Sequence, residues 1–145
     1  MAPRHTQSVD RWVATGVGGR FSRAAKLARI LAEHCVVVSG LAEGIDSAAH
    51  RAAIDSNGRT IAVFGTPLDE CYPRKNADLQ AEIASRHLLV SQIAPRTAVR
   101  RQNFPIRKRT MALLADASVT VEAGETSGSL SQGGRRFVSV ARSSS

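Results

Sequence analysis

The stretch that decides the fold is Cys35–Asp46, which reads Cys-Val-Val-Val-Ser-Gly-Leu-Ala-Glu-Gly-Ile-Asp. Its first four residues form a short apolar run, which is typical of a buried strand. Two glycines then allow a tight turn, and helical periodicity follows from Asp46 to Asn57. Asp46 is predicted to cap the start of this helix and Gly58 its end. Strand, glycine-bearing turn and helix in this order predict the first half of a βαβ unit.

The same alternation of strand and helix continues along the chain. The patterns predict helices near 22–34, 46–57, 76–85 and 105–114, strands near 35–38, 60–64, 88–90 and 118–121, and weaker strands near 12–14 and 137–140. Repeated strand–helix units favour an α/β domain with a mostly parallel sheet covered by helices. We expect this domain to span 12–140, between a frayed or disordered segment 1–11 and a polar tail 141–145.

Composition indicates one basic domain. The 145 residues are 43% apolar, and the formal net charge is +8. Such a basic excess favours an anionic partner, with nucleic acid first and an anionic membrane surface second. A solvated basic surface without a partner is the alternative, and charge alone does not decide between them.

Two classes of feature are not predicted. No apolar run is long enough for a membrane span, and the N-terminal residues lack the apolar core of a secretory signal. Cys35 and Cys71 stand alone, which gives no reason to expect a zinc site or a redox pair. We therefore expect a protein of the reducing cytoplasm, with no metal, no cofactor and no membrane partner.

The turn after the first strand is a candidate phosphate site. Ligands of parallel sheets bind at the carboxyl ends of strands, and free amides at a helix start favour anions. Taken alone, a glycine-bearing turn without a ligand is the better interpretation. His50, one turn into the helix, is either a phosphate donor or a packed histidine that holds the loop.

The strongest local charge signal lies between residues 96 and 109. Six cations occur there without any acidic residue: Arg96, Arg100, Arg101, Arg107, Lys108 and Arg109. A surface that binds a phosphate backbone needs such a cluster, whereas a solvated face of like charges repels itself. Phe104, within this run, is interpreted first as a core anchor and second as a platform for an unpaired base. A later loop with Ser127, Gly128 and Ser129 either contacts phosphate or is an ordinary turn.

Several segments in order resemble the DprA/Smf family of DNA-processing proteins, and its short DprA-like subgroup in particular. The matching segments are Val37–Asp46 with Ala48-Ala49-His50, Thr60–Gly65, Tyr72-Pro73, Phe104–Arg109, Val121–Gly124 and Ser127–Leu130. The resemblance implies a Rossmann-like three-layer fold that binds single-stranded DNA in a basic pocket. It also implies delivery of that DNA to the RecA recombinase, often during natural transformation.

The resemblance also implies site residues. Ser39, Gly40 and Gly44 would form a phosphate loop, and Arg107 and Arg109, with Lys108 between them, would hold the DNA backbone. The serines and glycine at 127–129 would close the pocket. Further candidates are Arg20, the last residue of Gly18-Gly19-Arg20, which faintly resembles the family's Gly-Ser-Arg, and His50, Arg100 and Arg101. No catalytic constellation accompanies these residues, so we expect a binding protein and not an enzyme; a homodimer is left open.

Three departures from the family pattern accompany the resemblance. Lys108 replaces the asparagine of an Arg-Asn-Arg motif, and the domain looks shortened near both ends. The helix that should separate Leu130 from the strand at Phe137 has no room, although parallel neighbours need a crossover. We therefore expect a displaced final strand and a poorly covered sheet face. Two alternatives remain open: a nucleotide-binding or nucleotide-hydrolysing protein of similar fold, like the phosphoribohydrolases, and a degenerate remnant without function.

Overall fold

The computed structural model describes residues 19–121 and 136–142. In chain order its elements are α1 Arg20–Ala32, β1 Cys35–Ser39, α2 Ile45–Asp55, β2 Arg59–Phe64, a 3₁₀ turn Arg74–Asn76, α3 Ala77–Arg86, β3 Leu88–Ser91, α4 Asn103–Leu114, β4 Ala117–Val121 and β5 Arg136–Arg142. The α/β class is confirmed, and each predicted helix and strand in this part of the chain is present. The predicted strand 12–14 and the two predicted terminal segments, apart from Ala141 and Arg142, lie outside the described residues.

The five strands form one sheet in the order β3-β2-β1-β5-β4. The β1–β2 and β2–β3 pairs are parallel, whereas β5 pairs antiparallel with both β1 and β4. Strands β1 to β4 therefore share one direction, and β5 alone among the described strands runs against them. The final strand is an interior strand and runs in the reverse direction, which removes the need for a crossover because antiparallel neighbours need none.

Helices cover the two faces of the sheet unequally. Alanines of α1 and α2 pack on Val37 and Val138, and α3 packs beside them through Leu79 and Ile83. Among the described helices α4 alone covers the opposite face, where Met111 contacts Val38 and Val63. Leu113 of α4 is 77% exposed, and the segment 122–135, whose length led to the expectation of a poorly covered face, lies outside the described residues. No helix in the described ranges has the length and apolar character needed to cross a membrane.

The ends of α2 differ from the predicted caps. Gly44, and not Asp46, is the N-cap residue; Asp46 lies inside the first turn, where its carboxylate accepts a hydrogen bond from the Ala42 amide (3.2 Å). At the other end Asn57 takes the left-handed conformation (φ 56°) that we expected of a glycine. Gly58 follows it and donates its amide to the Ala53 carbonyl (2.8 Å).

His50 is a buried link between three elements. Its Nδ1 lies 2.6 Å from the Thr60 hydroxyl, which in turn donates to the Val37 carbonyl (2.8 Å). Because that hydroxyl proton is used, Nδ1 carries the imidazole proton and donates it. Burial lowers the pKa of His50 to about 3, so the ring is neutral in the folded protein at neutral pH. Of the two roles considered for His50, the structure therefore supports the packed histidine that holds the loop.

Acid should destabilise this fold through His50. Its pKa is about 3 in the folded state and near 6.5 when unfolded, so unfolding takes up a proton between these values. Stability is full above pH 6.5 and decreases as the pH falls towards 3, with a slope approaching about 1.4 kcal/mol per pH unit. Urea unfolding of the wild type and of His50→Gln between pH 4 and 7 measures this dependence. The free energy of unfolding should change less with pH in the variant than in the wild type.

His87→Gln is the matched control, because burial also lowers the pKa of His87 although this side chain is more exposed. It should change the slope less than His50→Gln does. Equal slopes in the wild type and in His50→Gln would contradict the assignment.

Candidate functional site

A cavity of about 430 Å³ opens at the carboxyl ends of β1 and β2, beside the start of α4. This is the edge at which parallel sheets bind their ligands. The lining residues come from the turns after both strands, the segment before α3 and the first turns of α4: Gly40, Ala42, Glu43, Phe64, Gly65, Thr66, Tyr72, Pro73, Phe104, Arg107 and Lys108.

The guanidinium of Arg107 lies directly on Gly40. Its Nη1 donates to the Gly40 carbonyl (3.3 Å), and a Cβ built on Gly40 would lie 2.9 Å from the Arg107 Cζ. Any side chain at position 40 would therefore displace the guanidinium. Because Gly40 has no side chain, the guanidinium of Arg107 can reach the floor of the cavity from α4.

The aromatic ring of Phe104 packs against this guanidinium. The Arg107 Cζ lies 5.5 Å from the centre of the Phe104 ring, within the range of a cation–π contact, and the two residues are neighbours on α4. A Cβ built on Gly65 would lie 3.3 Å from the ring, so the ring seats against the backbone after β2. Phe104 is thus a half-buried anchor that also lines the cavity.

Positive charge dominates the cavity. Arg107 and Lys108 both line it, and among the described lining residues Glu43 carries the single carboxylate. The ammonium of Lys75 lies 3.1 Å from the Glu43 Oε1 and neutralises it. Tyr72, whose side chain is 63% exposed, stands at the rim. Two cations and two aromatic rings around one cavity can hold a phosphate and a planar, unpaired base together.

The turn between β1 and α2 is held rigidly by buried polar groups. The side-chain amide of Asn76 donates to the Leu41 carbonyl (2.9 Å), and the Asp46 carboxylate accepts a hydrogen bond from the backbone N–H of Ala42. Gly44 has φ +101° and ψ −114°, and a Cβ there would lie 2.8 Å from the Phe21 ring. Gly44 therefore shapes the turn, whereas Gly40 makes room for Arg107.

The structure brings some predicted residues together and separates others. Gly40, Arg107 and Lys108 line one cavity. Ser39 and His50 are fully buried, and neither lines the cavity. Gly44 belongs to the turn after β1 but does not line the cavity either.

The remaining candidates lie outside the cavity lining or outside the described residues. Arg109 is exposed, about 200° around α4 from Arg107, and is absent from the lining. Arg100 and Arg101 are exposed just before α4. The side chain of Arg20 and the loop with Ser127, Gly128 and Ser129 lie outside the described residues.

Sequence reasoning missed several lining residues. Gly65 and Thr66 follow β2 and could have been found from the rule that sites lie at strand carboxyl ends. Tyr72 carries part of the family resemblance but was not predicted as a site residue. The pairing of Glu43 with Lys75 has no local sequence signal, because the two residues are distant in the chain. Over the described ranges no group of three or more His, Cys, Asp or Glu is placed to hold a metal ion.

The two glycines of the turn should respond differently to alanine. Gly44→Ala should lower the free energy of unfolding by about 1–3 kcal/mol, because φ +101° is strained for any residue with a Cβ. Gly40→Ala should cost less, because the flexible end of Arg107 can move away. Urea unfolding of both variants at pH 7 measures the difference, and a larger destabilisation by Gly40→Ala would contradict this account of the turn.

Comparison with protein families places most of this chain in one family. The family described as DNA recombination-mediator protein A matches residues 15–134. DNA processing protein DprA of Streptococcus pneumoniae is 45% identical over 105 residues, which are 72% of this chain and 37% of that protein. The putative DNA processing protein DprA of Mycobacterium tuberculosis is 44% identical over 129 residues, 88% of this chain and 33% of the relative. The chain thus spans about a third of the length of these relatives.

Solved structures agree with the fold. The crystal structure of Streptococcus pneumoniae DprA matches with a TM-score of 0.57 and 40% identity, over 62% of this chain and 32% of that one. Helicobacter pylori DNA processing protein A, whose structure concerns its single-stranded DNA binding mode, matches with a TM-score of 0.59 and 32% identity. That match covers 65% of this chain and 43% of the Helicobacter protein.

Proposed function

The chain belongs to the DNA recombination-mediator protein A family, also called DprA/Smf, and from this membership we propose that its cavity binds single-stranded DNA. The observation that carries the proposal is the Arg107 guanidinium on Gly40, beside Lys108 in the cavity at the strand ends. The relative from Helicobacter pylori binds single-stranded DNA, which supports the same ligand here.

The chemistry of the cavity favours an unpaired strand. Arg107 offers several donors to a phosphate, and Lys108 adds a second positive charge. Tyr72 at the rim and Phe104 inside are surfaces on which a base can stack, but the bases of a duplex are already stacked and paired. These residues contact the backbone and the flat face of a base, so binding should be nearly independent of sequence.

We extend the proposal to the family's role as a recombination mediator. In this role the protein binds a single strand, for example one taken up during natural transformation, and passes it to the RecA recombinase. It acts by binding and involves no chemical step, cofactor or metal. The support for this extension is the family membership; we assign no residue to a RecA contact or to a homodimer interface.

Removal of Arg107 should weaken binding and reduce its dependence on salt. For a single strand, removing one cation that binds a phosphate lowers the slope of log K against log salt by about 0.7. Fluorescence anisotropy with a labelled oligothymidylate over a salt series should therefore show a weaker and flatter response for Arg107→Ala than for the wild type. Arg86→Ala is the matched control, since this substitution removes the same charge at the end of α3, away from the cavity.

Two further results of this experiment are informative. Arg109→Ala tests the assignment implied by the family resemblance, and a decrease in affinity equal to that of Arg107→Ala would mean that DNA also contacts the outer side of α4. If the wild type binds no oligonucleotide at low salt, the proposed function is wrong.

The pair Lys75–Glu43 should set the charge of the cavity. Lys75→Ala leaves the Glu43 carboxylate without its partner beside the phosphates, so the affinity for single-stranded DNA should fall about two- to fivefold, as expected for an exposed pair. Glu43→Gln should bind at least as tightly as the wild type, and it should restore binding when combined with Lys75→Ala. Dissociation constants of the four proteins at low salt measure this, and failure of Glu43→Gln to rescue would contradict the electrostatic account.

A further inference from the structure

A second basic surface lies on α1, outside the cavity. The outward side of this helix exposes Lys26 and Arg29, and Arg23 is half-buried beside them. These three cations follow one another at intervals of three residues, which places them as neighbours along the helix with a rise of about 4.5 Å per step. We call Arg23, Lys26 and Arg29 the α1 ridge.

Helix α1, which carries the ridge, begins beside the turn that lines the cavity. The ring of Phe21, in the first turn of α1, lies 2.8 Å from a Cβ built on Gly44 and so packs against the turn after β1. The same turn contributes Gly40, Ala42 and Glu43 to the cavity lining. From this junction α1 runs for 13 residues, or about 20 Å, away from the cavity. A strand that leaves the cavity over this turn would therefore meet the α1 ridge next.

Two charges of the α1 ridge, those of Lys26 and Arg29, are not balanced locally within the described ranges. Helix α1 contains no acidic residue, and within the described ranges neither Lys26 nor Arg29 has an ion-pair partner. At the near end of α1 the Glu43 carboxylate is paired with Lys75. At the far end Glu33 lies 3.8 Å from His34, and Asp55 closes α2. Arg51 on α2 adds another exposed cation to this layer. Like charges this close repel one another, and an anionic chain would relieve that repulsion.

We propose that the α1 ridge is a second DNA-contact surface, which holds the phosphates of a single strand after it leaves the cavity. The inference rests on the proposed function, since it extends the path of the same ligand. Continuity with the cavity favours nucleic acid over an anionic membrane, because the helix that carries the ridge starts at the turn that lines the cavity. Binding energy from the ridge would be available only to strands long enough to reach it.

The test compares two oligothymidylates, one of about 4 nucleotides that fills the cavity alone and one of about 20 that can also cover α1. Lys26→Gln combined with Arg29→Gln should weaken binding of the long oligonucleotide and lower its salt slope by about 1.4, because two phosphates would no longer be neutralised. Binding of the short oligonucleotide should stay as in the wild type.

Two controls separate the contribution of the ridge from other effects. The charge-conserving double variant Lys26→Arg with Arg29→Lys should bind the long oligonucleotide as the wild type does, and Arg86→Gln should leave the difference between the two lengths unchanged. Both side chains substituted in the ridge are exposed, and circular dichroism melting checks that each variant keeps its fold.

The outcomes distinguish the two proposals. If the double glutamine variant binds the long oligonucleotide as tightly as the wild type, or loses affinity equally for both lengths, the α1 ridge is not an extension of the site although the cavity still binds DNA. If the wild type binds neither oligonucleotide, the proposed function itself fails.

Discussion

The contact between the Arg107 guanidinium and Gly40 is the constraint on which the site depends. It joins the first turns of α4 to the end of β1 across 67 positions of sequence. Because the guanidinium lies where a Cβ would be, glycine at position 40 lets the end of Arg107 rest on the backbone after β1. Phe104 then fits against Gly65 and under Arg107, which fixes the direction of the cation. The floor of the cavity is therefore built from backbone and one charged side chain, which a larger residue at position 40 would displace.

Much of the fold could be predicted because its signals are local. The apolar run before Ser39 and the periodicity of α1 and α2 depend on residues close in sequence, and the strand and both helices are present. The direction of β5 is a different kind of property. Alternation identifies a strand but not its partner, and β5 pairs with β1, which lies far away in the chain. The segment between Leu130 and Phe137 is too short for the crossover helix that a parallel strand would need. In the structure β5 runs antiparallel to β4, so no crossover is required.

The site was predicted less completely, for a reason that lies in helix geometry. Arg107, Lys108 and Arg109 are adjacent in sequence, yet each step along a helix turns a side chain by about 100°. The first two reach the cavity and the third points elsewhere. A cluster of cations in the sequence thus predicts a basic segment but not a basic surface. Conversely, Lys75 and Glu43 meet only because the turn after β1 and the segment before α3 lie side by side.

The placement of charge also limits how the site can respond to its surroundings. Among the described residues, the cations that line the cavity are an arginine and a lysine, Arg107 and Lys108. The nearby histidine, His50, is buried and neutral, and it donates its Nδ1 proton to Thr60. Its charge is therefore not part of the field that an incoming phosphate meets near pH 7. Near pH 7, competition from salt, and not protonation of His50, should then govern how tightly this surface holds an anionic chain, as expected where counterion release dominates binding.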